Sequence, residues 1–233
     1  MNNYIASALA EMDKIEVSRL EHPGDGSLDP ASCRFLAAFI RASGSSRVLE
    51  FGSGFSSMMI GREITGFEDN LLFSVDASKA YSESAREGIE TCGVKVNAEF
   101  RVARLRPRFF GPRLLAAYDL PEGLLAAKGP FDLAVIDAPP YNPEVREAAF
   151  RQAFPAVAPG GYIIFGEANL PREEGAWAWE RAYGEAVAPV RLEGIGGGLR
   201  VVEKIDDAEP VPYYAGALGA ALRTLRFCAL GSK

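Results

Sequence analysis

The sequence predicts an α/β fold built on a mostly parallel sheet. Three observations carry this. Short β-branched or apolar runs alternate with longer helical patterns; FDLAVID (residues 131–137) is apolar on both faces, as a central parallel strand is; and VRLEGIGGGLRVVEKI (190–205) holds two alternating runs joined by a glycine triplet. The triplet signals a hairpin, and so an antiparallel addition to the sheet. With 233 residues, 48% of them hydrophobic, the chain can bury one core and is short for two full domains.

The elements follow in order. MNNYIASALAEMDKIE carries acids early and lacks an apolar leader, so it reads as an amphipathic helix and not a signal peptide. After the loop EHPGDGSLDP, a helix opens at Asp29-Pro30 and closes at Gly44, with Phe35, Leu36, Phe39 and Ile40 at helical spacing. RVLEF (47–51) is the first strand and SSMMIGREI (56–64) a helix. LLFSV (71–75) is the second strand, ending at Asp76, and 78–93 is a helix that Gly93 stops. AEFRVARL (98–105) alternates and is the third strand. FDLAVID is the fourth, 143–157 a helix, PGG (159–161) a turn, and YIIF (162–165) the fifth strand. A helix over 173–186 carries Trp177 and Trp179, spaced so that only one faces the core. The C-terminal stretch 209–230 is amphipathic, with Leu218, Ala221, Leu222, Leu225 and Phe227 as its expected buried positions. This divides the chain into an N-terminal helix and lid segment (1–29), a core (30–205) and a C-terminal helical extension (206–233).

The charge balance, 25 basic against 31 acidic residues, gives −6 and no global pull toward nucleic acid. Three cysteines lie far apart without a CxxC pair, which predicts neither a disulfide framework nor a zinc site and fits a reducing compartment. No apolar stretch reaches membrane-spanning length without charges. The expectation is a cytoplasmic protein with no membrane or nucleic-acid partner.

Chemistry first shows in RVLEFGSGFSS (47–57). A strand, a Gly-rich turn and a helix give a ligand close access to the backbone and to free N–H donors. Gly52 and Gly54 fill the first two places of a dinucleotide fingerprint, but Ser57 holds the third; Asp76 lies at the distance of a ribose-binding acid. The turn alone fits a nicotinamide dinucleotide or another adenosine cofactor. Glu50, two residues before the glycines, would repel a pyrophosphate and suits a ligand carrying an ammonium and a sulfonium. Asp137 closes the fourth strand at the same carboxyl edge of the sheet.

In order and spacing, VLEFGSGFSS, LFSVDAS, FDLAVIDAPP, PGGYIIFGEA and GLRVVEK resemble the class I S-adenosylmethionine-dependent methyltransferases of small molecules, over roughly residues 30 to 205. The resemblance implies a Rossmann-like three-layer sandwich with a seven-stranded sheet of order 3-2-1-4-5-7-6, the last strand antiparallel. It implies S-adenosylmethionine as cofactor, S-adenosylhomocysteine as product, and a small-molecule oxygen or nitrogen as acceptor. Glu50, Gly52, Ser53 and Gly54, with Phe55, Ser56 and Ser57, would hold the amino-acid half. Asp76 would bind the ribose hydroxyls, with Ala77 and Ser78 beside the adenine; Asp76 could alternatively cap the next helix, a role Ser78 can also fill.

One departure concerns adenine. The family often places an acid or amide after the third strand, where this chain has RVARLRPRFF; Phe100, Leu105 or backbone groups are left for that task. Arg101, Arg104, Arg106, Arg108 and Arg113 form either a solvated surface or a patch for an anionic substrate group. Asp137 would hold the sulfonium-side amine, orient substrate or act as general base, with Pro139, Tyr141 and Glu167 as substrate contacts. No metal is expected. The alternative is the site of the catechol-type O-methyltransferases, for which Asp137, Glu167 and Asn169 are oxygen ligands at a departing spacing. APPYN also resembles the motif of amino-methyltransferases acting on adenine, cytosine or glutamine amides. Ala138, however, stands where their polar residue precedes the prolines. His22 is a solvated loop residue unless the N-terminal segment folds over the site, when His22 and Tyr4 become substrate contacts. A nicotinamide-dependent oxidoreductase and a non-catalytic scaffold are the other readings, and the C-terminal helix offers a homodimer contact.

Overall fold

The computed structural model describes residues 3–17, 28–138, 142–166, 168–169 and 177–230. In chain order the elements are α1 (Asn3–Glu11), α2 (Pro30–Ser43), β1 (Arg47–Phe51), α3 (Phe55–Ile64), β2 (Leu71–Asp76), α4 (Lys79–Thr91) and β3 (Ala98–Val102). Then come β4 (Leu105–Phe110), β5 (Arg113–Tyr118), α5 (Leu124–Lys128), β6 (Phe131–Ile136), α6 (Pro143–Ala153) and β7 (Val157–Phe165). The chain closes with α7 (Ala178–Tyr183), β8 (Val187–Leu192), β9 (Leu199–Lys204) and α8 (Ala217–Leu230).

Seven strands form one sheet in the order β3-β2-β1-β6-β7-β9-β8, with β9 antiparallel to both neighbours. This is the expected Rossmann-like order once β4 and β5 are set aside. Alternation divides the sheet into two faces. Val48, Leu72, Leu133, Val135, Ile164 and Val201 pack with Phe35 and Phe39 of α2 and Phe55 and Met59 of α3. Leu49, Phe51, Phe73, Ile136, Phe165 and Val202 pack on the other face with Phe150, Phe154 and Trp179. Of the tryptophans, Trp179 is fully buried and stacks on Phe150 with centroids 4.0 Å apart, while Trp177 is half-buried.

Local sequence explains the helix ends. Asp29 caps α2, its Oδ1 accepting from Ala31 N at 2.9 Å and Ser32 N at 3.1 Å, with Pro30 in the first turn. Ser78 caps α4 through Tyr81 N, so that task does not fall to Asp76.

Three expectations need correction. The third strand stops at Val102, and the sequence beyond it forms a separate antiparallel hairpin, β4–β5, turning at Gly111-Pro112 with Phe110 opposite Arg113. The strand β7 starts at Val157 and runs through the PGG expected as a turn. The buried face of α8 consists of Ala220 and Thr224, whereas Leu218, Leu222 and Leu225 are 76%, 62% and 51% exposed. The cause is the surface α8 meets: Leu115 and Ala117 of the hairpin and Ala148 of α6 pack with Ala220. Small residues allow close approach, and Thr224 Oγ1 donates to the Leu114 carbonyl at 3.1 Å.

The hairpin is fastened by buried charge. Arg113 is no part of a surface patch; its Nε and Nη2 donate to Glu147 at 2.7–3.0 Å and its Nη1 to the Ala215 carbonyl at 2.7 Å. Arg151 Nε donates to the same Glu147 at 3.0 Å. Glu147→Ala strands two buried guanidinium groups, a loss on the order of 3–5 kcal/mol when a buried pair is broken. Denaturant unfolding of this variant should show a drop of that size. Glu11→Ala, which breaks an exposed pair with Lys14, should change stability by less than about 1 kcal/mol.

Candidate active site at the carboxyl edge of the sheet

Between β1 and β6 the strand order reverses direction, and ligands of open α/β sheets bind in the crevice at that point. Two backbone bonds close it: Gly52 N donates to Val75 O at 2.9 Å, and Asp137 N to Phe51 O at 2.8 Å. Gly52 has φ 103°, and a Cβ there would collide with the Asp137 carbonyl group, its carbon only 2.7 Å away. Glycine is therefore required for both conformation and close approach. Gly54 then caps α3, its N–H donating to Ser57 Oγ at 3.0 Å.

Glu50 lies fully buried beneath this turn. Its Oε1 accepts from Ser56 Oγ at 2.6 Å, and its Oε2 accepts from Ser57 Oγ at 2.5 Å and Ser74 Oγ at 2.6 Å. Glu50 and Ser74 are register partners on β1 and β2 and point to the face where α3 starts. Because Ser74 gives its proton to Glu50, Ser53 Oγ donates to Ser74 Oγ, at 2.8 Å. Ser53 N donates to Asp76 Oδ2 at 2.8 Å, and Ser78 N to Asp76 Oδ1 at 2.6 Å. A continuous network thus joins Glu50 to Asp76 through Ser74 and Ser53. Burial raises the Glu50 carboxyl to about 7 against the pull of its three hydroxyl donors, with the Asp76 charge adding to the rise. Burial also raises Asp76, opposed by the amides of Ser78, Ser53 and Ala77.

On the other side of the crevice, Asp137 Oδ2 accepts from Leu28 N at 3.1 Å, which brings the end of the N-terminal segment to the carboxyl edge. Its Oδ1 lies 3.2 Å from where a Cβ on Gly166 would stand, at the end of β7. Glu50, Asp76 and Asp137 place three carboxylates at one edge.

The other expected site residues are distributed unevenly. The ring of Phe55 is buried in the core between α2, α3 and the sheet. Tyr4 stands edge-on to Tyr162 at 6.0 Å; Tyr162 pairs with Leu133, three residues and roughly 10 Å back from the end of the strand. The structure does not bring Tyr4 to the edge. His22, Pro139, Tyr141 and Glu167 lie outside the described residues. Asn169 Nδ2 donates to the Glu193 carbonyl at 3.0 Å, so its amide serves the β8–β9 connection. Among the described residues, no three His, Cys, Asp or Glu side chains are grouped to hold a metal ion. Arg101, Arg104, Arg106 and Arg108 are exposed, Arg106 pairing with Asp119 at 2.8 Å.

Asp119 is the residue sequence reasoning missed. Its N–H donates to the Arg104 carbonyl at 2.9 Å, and Ala103 N to the Asp76 carbonyl at 2.8 Å. The hairpin therefore carries the chain away from the end of β3 and returns an acid to it. The signal was the Gly111-Pro112 pair, a turn dipeptide set between LRPRFF and the apolar run RLLAAY.

The protonation of Glu50 has a defined sign. Its carboxyl, near 4.5 in the unfolded chain, stands at about 7 when folded, so between those values the folded state binds more protons. The associated stability is fully present below pH 4.5 and is lost as pH rises toward 7. Denaturant unfolding across this window should show stability decreasing with pH for this reason, and Glu50→Gln should remove most of that slope. An unchanged slope would contradict the burial.

A methyltransferase-domain family model matches residues 49–168, more than half of the chain. No curated protein shows a significant sequence match. Among solved structures, the O-methyltransferase from Bacillus cereus in complex with SAH is 21% identical, covering 88% of this chain and 92% of its own, with a TM-score of 0.58. The O-methyltransferase TomG from Streptomyces achromogenes, in complex with SAM, is 19% identical over 88% and 91% at 0.57. A methyltransferase from Geobacter sulfurreducens is 17% identical over 85% and 88% at 0.59. These likenesses repeat the fold, and with the family model matching the stretch from β1 to just beyond β7, the chain belongs to the methyltransferase-domain family.

Proposed function

We propose that this protein moves a methyl group from S-adenosylmethionine to an oxygen or nitrogen of a small molecule. The observation that carries this reading is the concentration of Glu50, Asp76 and Asp137 at the crevice. Such an edge repels a pyrophosphate and attracts a sulfonium and an ammonium. The SAH and SAM complexes of the Bacillus cereus and Streptomyces achromogenes enzymes support the same cofactor, and their O-methyltransferase names favour an oxygen acceptor.

In this reading Asp76, held rigid by two backbone amides, binds both ribose hydroxyls, with Ala77 and Ser78 alongside. Asp119 takes the adenine end from its place beside β3. The turn Gly52–Ser57 receives the amino-acid half. Glu50 serves it through the serines it holds and through its charge, since both its oxygens are engaged within the protein. The cofactor supplies an electrophilic methyl group. The protein's part is alignment and exclusion of water, with Asp137 orienting the reactants or accepting the acceptor's proton. The core 30–205 would act with 1–29 as lid and 206–233 as a C-terminal extension whose helix α8 packs on the β4–β5 hairpin and α6. The three free cysteines support a reducing, cytoplasmic setting, and no helix among the described residues is long and apolar enough to cross a membrane. The exposed stripe Leu218, Leu222 and Leu225 supports a homodimer through α8.

Calorimetry should show binding of S-adenosylhomocysteine and none of NAD⁺; NAD⁺ binding alone would contradict the proposal. Asp76→Ala should weaken S-adenosylhomocysteine by about 2 kcal/mol or more, the scale of lost charge-assisted hydrogen bonds.

A further inference from the structure

Arg146 is fully buried in the first turn of α6, where the Asn142 cap fixes the start of the helix through Glu144 N and Val145 N, both at 3.1 Å. Its guanidinium lies 5.8 Å from the centre of the Phe165 ring. Nη1 donates to the Ala138 carbonyl at 3.3 Å and Nη2 to the Gly166 carbonyl. These two carbonyls stand just past the ends of β6 and β7, where the sheet ladder stops. A rigid planar fork can satisfy both at once, which the single ammonium of lysine cannot do with the same geometry.

What the fork holds together is the surroundings of Asp137. Ala138 follows it directly. Gly166 faces Asp137 Oδ1 with no room to spare, and Gly166 N donates to the Ile136 carbonyl at 3.3 Å. Asp137 is itself pinned to β1 through Phe51 O and packs against Gly52. Burying a guanidinium is costly unless its donors are used. Here two of them are spent on the backbone on either side of one carboxylate.

We propose that Arg146 is a positioning residue for the amino-acid half of the methyl donor, acting by clamping the ends of β6 and β7 and so fixing Asp137. The inference rests on the reading of this crevice as an S-adenosylmethionine site. It predicts a selective effect. Ligands with the amino-acid half should feel the loss of the clamp, and ligands ending at the thioether should not, because Asp76 and Asp119 lie across the crevice at β2 and β3.

The test is calorimetry with S-adenosylhomocysteine and with 5′-methylthioadenosine, which lacks the amino-acid half. The proteins are the wild type, Arg146→Lys, Arg146→Gln, Asp137→Asn and the Arg146→Lys/Asp137→Asn double variant. Arg146→Lys should weaken S-adenosylhomocysteine about tenfold and change methylthioadenosine by less than about twofold, and the double variant should bind no worse than Asp137→Asn alone. Equal loss of both ligands, or additive losses in the double variant, would overturn the proposal. So would failure of both Arg146 variants to fold, since that would make the residue purely structural. A wild type that binds neither ligand would instead refute the cofactor reading beneath it.

Discussion

A buried carboxylate held by three serine hydroxyls is the interaction on which the crevice depends. Glu50 comes from β1, Ser74 from β2, and Ser56 and Ser57 from the first turn of α3. One side chain thus fixes two adjacent strands and the helix that joins them, at the point where the glycine turn must hold its shape. The arrangement leaves negative charge in a dry place, which is why the Glu50 carboxyl stands near neutrality. In the proposed reading, this charge at the edge favours a cationic ligand.

The second face of the sheet solves a different problem. Between β3 and the short helix α5 the chain inserts the β4–β5 hairpin, a two-stranded sheet whose β5 buries Leu115, Ala116, Ala117 and Tyr118. It is covered by α8 and tied down by the Arg113–Glu147–Arg151 cluster. Its functional consequence is at its far end, where the returning strand sets Tyr118 against Phe51 and delivers Asp119 to the end of β3. The C-terminal helix is therefore connected to the cofactor crevice through packing, although it is remote in sequence.

The parts legible in the sequence were those with strong periodicity or a local signal. These are the central strands, Asp29-Pro30 opening α2, the Gly52 turn, and Asp76 and Asp137 at strand ends. The hairpin was obscured because the alternation of AEFRVARL carried the third strand to Leu105, and the arginines beyond it read as a solvated surface. The buried face of α8 was misassigned because hydrophobicity ranks leucine over alanine and threonine, whereas the hairpin surface selects for closeness. The role of Glu50 was read from its charge alone. Its three serine partners come from two elements, and only the fold shows that Ser74 and the first turn of α3 meet at the same carboxylate.

The proposed site has one central geometry: a ribose on Asp76, with Glu50 still enclosed by its serines. A crystal structure with bound S-adenosylhomocysteine tests it most directly. It should show both ribose hydroxyls within about 3 Å of the Asp76 carboxylate, with Ser56, Ser57 and Ser74 still donating to Glu50. A ribose held elsewhere, or Glu50 released from the serines to contact the ligand, would contradict it.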